Sequence, residues 1–208
     1  GLFAVKGIEV PEGRLVFVTK DGMIKVTPWQ EYTVLKGYYQ AMKIKDDDEI
    51  ITVEQERADT TLLYVTKKGM TLNMLWEGVP EQLRVAGGVK GMGLYEDDEV
   101  IYATQIGANE KVVLGASNGM FKVVDCDSVK KLVKTRKGVM IFDLGDKKYA
   151  EIVLRAKVYN GLKGIYILDR MSQEFYADIS SAQADTRESR GKLLKNVGNC
   201  QPDKIIFY

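Results

Sequence analysis

The sequence predicts an all-β protein, a propeller-like assembly of about four blades with roughly 50 residues in each. Hydrophobic runs that end in a short polar turn occur four times, at residues 15–22, 62–69, 112–119 and 164–171. Nineteen positions before the end of each run, a β-branched or aromatic run begins, at Phe3, Ile50, Val100 and Ile152. These starts are 47, 50 and 52 residues apart, and the next equivalent is expected near Ile205. A constant offset with changing residues indicates one supersecondary unit copied in tandem.

Each unit is expected to hold three strands in a meander. A loop separates the first strand from the second, and a tight turn separates the second from the third. Residues 20–22 and 117–119 supply the Asp-Gly and Asn-Gly pairs that hairpins favour, because both central residues can adopt positive φ. Short β-branched or aromatic runs bounded by turn residues predict strands at 16–19, 24–27, 50–53, 62–66, 100–104, 112–114, 121–124, 152–154, 165–168 and 205–208.

The rest of each unit has more loop or helical character, as at residues 28–36 and 127–134. A basic glycine-containing loop follows, and then a fourth extended segment, at residues 38–44, 89–94, 138–144 and 191–197. The units are predicted at 3–49, 50–99, 100–151 and 152–204, within one domain of residues 1–208. The final run at 205–208 is expected to pair elsewhere or to belong to a further blade.

Composition narrows the class of protein. The apolar share of 45% and the charged share of 28% are typical of soluble globular proteins. No run approaches the ~18 apolar residues of a membrane span, and no signal segment opens the chain. The first residue is Gly, which predicts a piece of a longer polypeptide. Cys126 and Cys200 lack CxxC spacing and are interpreted as reduced thiols, which favours a cytoplasmic location.

Most enzyme and metal sites lack their residues in this sequence. Histidine is absent, which excludes Ser-His-Asp and Cys-His arrangements and most metal sites. The glycine cluster at 87–93 has no helix after it to bind a phosphate. The acidic runs at 46–49 and 96–99 lack EF-hand spacing, and consecutive carboxylates in a turn are expected to face water. We predict no catalytic residue, metal or cofactor.

Charge is distributed unevenly along the chain. Residues 1–100 carry 12 Lys and Arg against 17 Asp and Glu, whereas residues 101–208 carry 18 against 12. Basic residues recur in the same loop of successive units, which in a blade assembly is a common rim. Such a curved track suits a bent polyanion, although the loops could equally be solvated. The residues predicted to form the track are Lys36, Arg84, Lys90, Lys130, Lys131, Lys134, Arg136, Lys137, Arg187, Arg190, Lys192 and Lys195.

Three segments carry a resemblance to a known family: VTKDGMIK at 18–25, VTKKGM at 65–70, and RVAGGVKGMGLYEDDE at 84–99. They resemble the C-terminal domain of bacterial type IIA topoisomerase A subunits, that is, of DNA gyrase and topoisomerase IV. The resemblance covers all four units. It is specific in the first three and weaker in the fourth, where Arg170 and Met171 replace the turn glycine.

The resemblance implies a β-pinwheel, a propeller-like assembly whose neighbouring blades exchange strands. It implies a basic perimeter that binds and bends duplex DNA of any sequence and presents it to the cleavage core. It also implies a monomeric domain of a bacterial, nucleoid-associated heterotetramer with an ATPase B subunit. Cleavage, ATP and Mg²⁺ belong to other domains of such an enzyme, so no cofactor and no membrane are expected here.

One departure from the family bears on the subtype. The contiguous box QRRGGKG of gyrase A domains is absent, and residues 87–91 and 187–192 keep only parts of it. This favours a topoisomerase IV-like domain, with a gyrase domain lacking its first blades as the rival. The alternative of another class is a protein-interaction platform that uses aromatic residues on the axial face, unless these pack between blades. Those aromatic residues are Trp29, Tyr38, Tyr39 and Trp76.

Overall fold

The computed structural model describes residues 12–33, 38–45, 47–145, 152–159, 163–193 and 200–208. Within these residues the regular structure is β-strand apart from two short 3₁₀ helices, Trp29–Tyr32 and Cys126–Ser128. No described residue belongs to a helix that is long and apolar enough to cross a membrane. The strands are β1 (Arg14–Thr19), β2 (Met23–Pro28), β3 (Ile50–Gln55), β4 (Thr61–Thr66), β5 (Met70–Met74), β6 (Val89–Lys90), β7 (Val100–Ile106), β8 (Lys111–Ala116), β9 (Met120–Asp125), β10 (Lys131–Leu132), β11 (Val139–Met140), β12 (Val153–Tyr159), β13 (Gly164–Asp169), β14 (Glu174–Asp178), β15 (Lys192–Leu193) and β16 (Pro202–Phe207).

The strands form four sheets, each built on one hairpin: β1–β2, β4–β5, β8–β9 and β13–β14. The meander predicted within each unit is wrong in its pairing. The first strand of a unit pairs antiparallel with the hairpin of the preceding unit: β3 with β1, β7 with β4, β12 with β8 and β16 with β13. This strand exchange confirms the β-pinwheel that the resemblance implied. The last strand, β16, therefore completes the fourth sheet by pairing with β13 of the unit before it.

The hairpin turns explain the constant 19-residue offset. Gly22, Gly69 and Gly119 all have positive φ, near 78°. In the fourth hairpin this position belongs to Ser172, with a φ of 61°, and not to Met171 as the spacing predicted. The offset counted from Ser172 leads to Val153, the first residue of β12. In all four sheets, the pairing between the hairpin and the first strand of the next unit shifts register at the start of that strand. The hairpins therefore bend alike.

The cores lie between successive sheets. Val16, Ile24, Leu62 and Leu72 fill the space between the first two sheets, and equivalent clusters separate the second from the third and the third from the fourth. The exchanged strands β3, β7, β12 and β16 contact one another in sequence and so lie on the inner side. At the opposite edge of the first three sheets lie the short strands β6, β11 and β15, within the predicted fourth segments. Loops beside these short strands therefore lie on the perimeter.

Two features of the fold were not predicted. Strand β14 was missed because the polar Gln173 and Glu174 stand where the other hairpins continue with apolar residues. The acidic turns also do more than face water. Asp48 is 8% exposed, and its carboxylate accepts hydrogen bonds from the backbone N–H groups of Asp21 and Glu49. The expectation for Asp48 was therefore wrong, because its carboxylate stabilises the hairpin turn of its own unit.

Candidate nucleic-acid interface

The three perimeter loops are anchored by glycines. Gly88, Gly138 and Gly191 have φ of 81°, 74° and 78°, and a Cβ on any of them would collide with the backbone of the third strand in the preceding unit. Glycine alone meets both demands, a left-handed backbone and a close approach to another chain segment. These residues therefore align the loops with one another.

Aligned in this way, the loops share one cationic position. Arg84, Lys134 and Arg187 each lie four residues before the anchoring glycine. Every other predicted cation of the three loops occupies a place that holds an uncharged residue in at least one of them. The recurrence of basic residues that the sequence indicated therefore holds in all three loops only at this position.

At this shared position the two arginines bind backbone. Arg84 Nη1 donates to the carbonyl oxygen of Gln40 at 2.5 Å, and its guanidinium carbon lies 5.3 Å from the centre of the Tyr39 ring. Arg187 Nη1 donates to the carbonyl oxygen of Met140 at 2.7 Å. Gln40 and Met140 are equivalent residues of the fourth segments, so both arginines tie their loop to the unit before it.

Residues 130–137, which we call the free cationic loop, carry the densest charge of the perimeter. Lys130, Lys131, Arg136 and Lys137 are exposed, and Lys134 is half-buried. None of these five cations forms an ion pair with a described residue.

The base of the free cationic loop is fixed by the second sheet. Strand β10 pairs in parallel with the end of β5, and the Asn73 side chain donates to the Val129 carbonyl oxygen at 3.1 Å. At the other end, β11 pairs with the start of β5. Lys137 extends over the exposed ring of Tyr95, with its ammonium nitrogen 4.1 Å from the ring centre. Cations are thus held on the surface without opposite charge beside them.

The cations of residues 187–192, which we call the fourth-unit loop, are paired. Arg190 Nε lies 3.1 Å from an Asp143 oxygen, and Lys192 Nζ lies 2.9 Å from an Asp185 oxygen. Arg187 contacts the carboxylate of Glu188. The pKa of Asp143 is lowered by the N–H of Gly145 and by Arg190. This loop therefore has less net positive charge than the sequence indicated.

The remaining predicted residues divide by position. Lys90 is exposed on β6 and forms no ion pair with a described residue. Lys36 and Lys195 lie outside the described residues, so their place on the track stays a prediction. Among the described residues, no three His, Cys, Asp or Glu side chains are grouped so that they could hold a metal ion.

The aromatic residues of the alternative hypothesis do not form one surface. Trp29 packs against the outer face of the first sheet, and Trp76 against the core between the first two sheets. The Trp76 Nε1 donates to the Thr60 carbonyl oxygen at 2.7 Å. Tyr38 is 97% exposed, and Tyr39 lies beside Arg84 on the perimeter. Packing between and against the blades accounts for both tryptophans.

Sequence reasoning missed two buried lysines beneath the perimeter. Lys25 in β2 and Lys122 in β9 are closed off from solvent, and burial lowers the pKa of each to about 8. Their ammonium groups donate to the backbone carbonyls of Arg84 and Arg187, respectively. The signal in the sequence is a single lysine inside an apolar strand, in MIKV and MFKVV.

Comparison with known families gives one match that spans the repeats. The model of the family described as the DNA gyrase C-terminal domain, beta-propeller, matches residues 13–55, 61–106 and 110–153. Each matched stretch begins at the start of a hairpin or one residue before it and ends in the first strand of the next unit. The matched repeat is therefore the observed sheet with its exchanged strand.

Similar proteins bear topoisomerase names. The A subunit of DNA topoisomerase 4 from Staphylococcus epidermidis is 25% identical over 186 residues, which are 88% of this chain and 23% of that protein. The Staphylococcus aureus protein of the same name is 24% identical over 182 residues, 86% of this chain and 22% of that protein. The chain thus spans less than a quarter of these relatives.

Solved structures show the same fold. A crystal structure of the C-terminal domain of DNA topoisomerase IV aligns with a TM-score of 0.84 and 23% identity, over 95% of this chain and 62% of that one. A structure of the DNA gyrase A C-terminal domain aligns with a TM-score of 0.75 and 19% identity, over 97% of this chain and 68% of that one.

Proposed function

The chain belongs to the DNA gyrase C-terminal domain family, and on that premise we propose that it is the DNA-binding domain of a type II topoisomerase A subunit. It binds duplex DNA of any sequence along its perimeter and bends it. The bent segment is presented to the cleavage core, which influences the topology that the enzyme prefers. We expect no catalytic residue in this domain.

The free cationic loop is the observation that carries this proposal. Five cations lie there without an ion pair to a described residue, and three are within four consecutive positions. Neutralising phosphates releases the counterions condensed on DNA, so unpaired surface cations supply affinity without reading bases. Opposite charges beside these cations would weaken this effect. The ion pairs of Arg190 and Lys192 in the fourth-unit loop are an example of such pairing.

The track extends from the free cationic loop towards the first sheet. Lys90 and Arg84 lie on the preceding perimeter loop, and the 135–136 backbone of the free cationic loop bonds directly to residues 91 and 93. A duplex that contacts both loops must follow the curve of the perimeter, which costs bending energy that extra contacts offset. Because the cations of the fourth-unit loop are paired with carboxylates, we expect the contacts to cover a short arc and the bend to be modest.

The names of the relatives support a proposal for the whole enzyme. The matched curated relatives are named as topoisomerase 4 A subunits, and the gyrase box QRRGGKG is absent from this sequence, so topoisomerase IV is the favoured host. In that setting the partners are the cleavage core of the same polypeptide and the ATPase B subunit, in a cytoplasmic, nucleoid-associated heterotetramer. ATP and Mg²⁺ act in those other parts.

The proposal is tested with the 208-residue chain and duplexes of unrelated sequence. We expect similar affinity for all of them, a steep fall in affinity with rising salt, and closer duplex ends in a fluorescence energy-transfer assay. Affinity that stays the same between low and physiological salt would refute DNA binding by this track. Binding without a change in the end-to-end distance of the duplex would refute bending but not binding.

A further inference from the structure

Two lysines occupy the same buried position in the first and third sheets. In the hairpin registers Lys25 lies opposite Phe17, and Lys122 lies opposite Leu114. Neither side chain is exposed to solvent. A buried ammonium group is costly unless its N–H groups find acceptors, so its partners show what it is for.

Lys122 is surrounded by backbone carbonyl oxygens. Its Nζ donates to those of Ile141 at 2.7 Å, Arg187 at 2.6 Å and Ser189 at 2.7 Å. Three acceptors match the three N–H bonds of an ammonium group. No described carboxylate lies within ion-pair distance of it. We call a buried lysine with these acceptors a carbonyl cage.

Lys25 forms a similar cage in the first sheet, with a hydroxyl in place of the third carbonyl oxygen. Its Nζ donates to the carbonyl oxygen of Ala41 at 2.6 Å, to that of Arg84, and to the Tyr32 hydroxyl at 3.1 Å. Ala41 and Arg84 are the equivalents of Ile141 and Arg187 when the units are aligned along the perimeter. The cage is therefore a repeated element and not an isolated contact.

Each cage joins the perimeters of two successive units. Ile141 lies in the segment that follows the free cationic loop, whereas Arg187 and Ser189 belong to the next unit. Arg187 also donates from its side chain back to the Met140 carbonyl oxygen. Two perimeter segments that are far apart in sequence are thus fixed to one another through a single nitrogen atom.

We propose that Lys122, and Lys25 in the first sheet, are positioning residues for DNA binding that fix the spacing between perimeter loops of successive units. This inference rests on the proposed function. A duplex that bridges two loops gains most when the loops are already held at the right distance, because less conformational entropy is then lost on binding. The lysines themselves are buried and do not contact DNA.

The cage depends on the protonated amine. A neutral amine donates only two hydrogen bonds, and its lone pair would face a carbonyl oxygen. Burial lowers the pKa of both lysines to about 8, so both ammonium groups begin to lose this proton just above neutral pH. The charged groups nearest Lys122 are Asp185, Glu188, Arg187 and Asp143, and those nearest Lys25 are Arg84 and Glu31.

The first test replaces Lys122 by Met, which keeps the length and apolar stem of the side chain. We expect roughly tenfold weaker DNA binding with an unchanged salt slope, because every phosphate-contacting cation remains. The matched control is Lys111→Met on the neighbouring strand β8, a partly exposed lysine paired with Asp125, and we expect it to bind as the unsubstituted chain does. If Lys122→Met binds like this control, or if it lowers the salt slope by about one, the proposal is wrong.

The second test needs no folded variant of Lys122. DNA affinity of the unsubstituted chain, measured from about pH 7 to 9.5, should fall through the pKa of the cages. Lys111→Met should show the same profile, since it keeps both buried lysines. A flat profile would overturn the positioning role while leaving DNA binding intact. Failure of the unsubstituted chain to bind any duplex at pH 7 would instead refute the proposed function.

Discussion

The free cationic loop and the fourth-unit loop occupy equivalent places but are fixed by different bonds. Beneath the fourth-unit loop, the ammonium group of Lys122 donates to the carbonyl oxygen of Ser189 in the loop and to that of Ile141 in the unit before it. At the free cationic loop, the equivalent carbonyl oxygens are those of Arg136 in the loop and of Gly91 in the unit before it. They accept backbone N–H groups, at 2.9 Å from Gly93 and at 2.6 Å from Thr135, respectively.

The difference originates in one residue pair of the sheet beneath. Where the first and third sheets have Phe17 opposite Lys25 and Leu114 opposite Lys122, the second has Tyr64 opposite Leu72. Without an ammonium group, the loop must turn inward to supply its own N–H. Thr135 accordingly has a φ of 72°, a costly conformation for a β-branched residue.

The two loops differ in the groups that anchor them and in the cationic side chains that they expose. A loop anchored by side chains uses its arginine for backbone contacts, and acidic residues gather around it. A loop anchored by its own backbone leaves its cationic side chains without opposite charges beside them. The second sheet is therefore where DNA contact should be strongest, and four predictions test this difference.

The largest expected effect is on DNA affinity. Replacing Lys134, Arg136 and Lys137 by Glu should weaken binding by about a hundredfold or more and lower the salt slope by about three, since three phosphate contacts are lost. Binding assays over a range of salt concentrations measure both quantities. The matched control is Arg190→Glu with Lys192→Glu, for which we expect a smaller loss because both cations are already paired. An equal or greater loss in the control would reverse our ranking of the two loops.

The next effect concerns the anchoring glycine of the free cationic loop. Gly138→Ala should lower the free energy of unfolding by about 2–3 kcal/mol, because the residue has positive φ and a Cβ would collide with the Thr71 carbonyl oxygen. Gly145→Ala is the control, since Gly145 has a φ of 85° with open space around it and should cost about 1 kcal/mol. Urea denaturation of the two variants measures the difference. Equal costs would mean that the loop moves away without penalty.

The third effect distinguishes the two anchors by pH. The pKa of Lys122 is about 8 in the folded chain against 10.5 as an ordinary value, so the unfolded chain binds more protons between these limits. The free energy of unfolding should therefore rise across this window by about 1 kcal/mol per pH unit relative to Lys122→Met. Urea denaturation at pH 7, 8.5 and 10 measures it. Parallel pH curves for the two proteins would show that the cage does not titrate.

The smallest effect is expected at Tyr64. Its hydroxyl is fully buried and has no hydrogen-bond partner among the described residues. Tyr64→Phe should thus leave stability unchanged or raise it by up to about 1 kcal/mol, because an unsatisfied polar group is removed. Thermal unfolding of the variant measures this. Destabilisation by more than about 1 kcal/mol would show that the second sheet supplies a hydrogen-bond acceptor to the Tyr64 hydroxyl.

Much of the fold could be predicted from local sequence. Turn glycines and apolar runs located the first three hairpins to within two or three residues, because those signals act over a few residues. The partner of the first strand could not be found in this way, since β3 satisfies its hydrogen bonds equally well in either unit. Packing between sheets decides the partner, and only the family resemblance anticipated it.

The candidate site was predictable in location but not in charge. Counting residues placed Arg84, Lys134 and Arg187 on one rim. It could not show that Arg190 is paired with Asp143, because 47 residues separate them and strand exchange brings them together. The buried lysines were missed for a related reason: a lysine in a strand is ordinarily exposed, and its carbonyl acceptors come from loops of two units.

Strand exchange also makes each sheet depend on the unit that follows it in the sequence. Each of the first three sheets takes its inner strand and its outer strand from the unit that follows, so a unit never completes itself. Loss of order in the third unit would remove β7, β10 and β11 together and expose both edges of the second sheet. Local unfolding of one unit should therefore destabilise the unit that precedes it in the sequence. After local unfolding, the protection of backbone amides against hydrogen exchange should fall first in the affected unit and then in the units towards the N terminus.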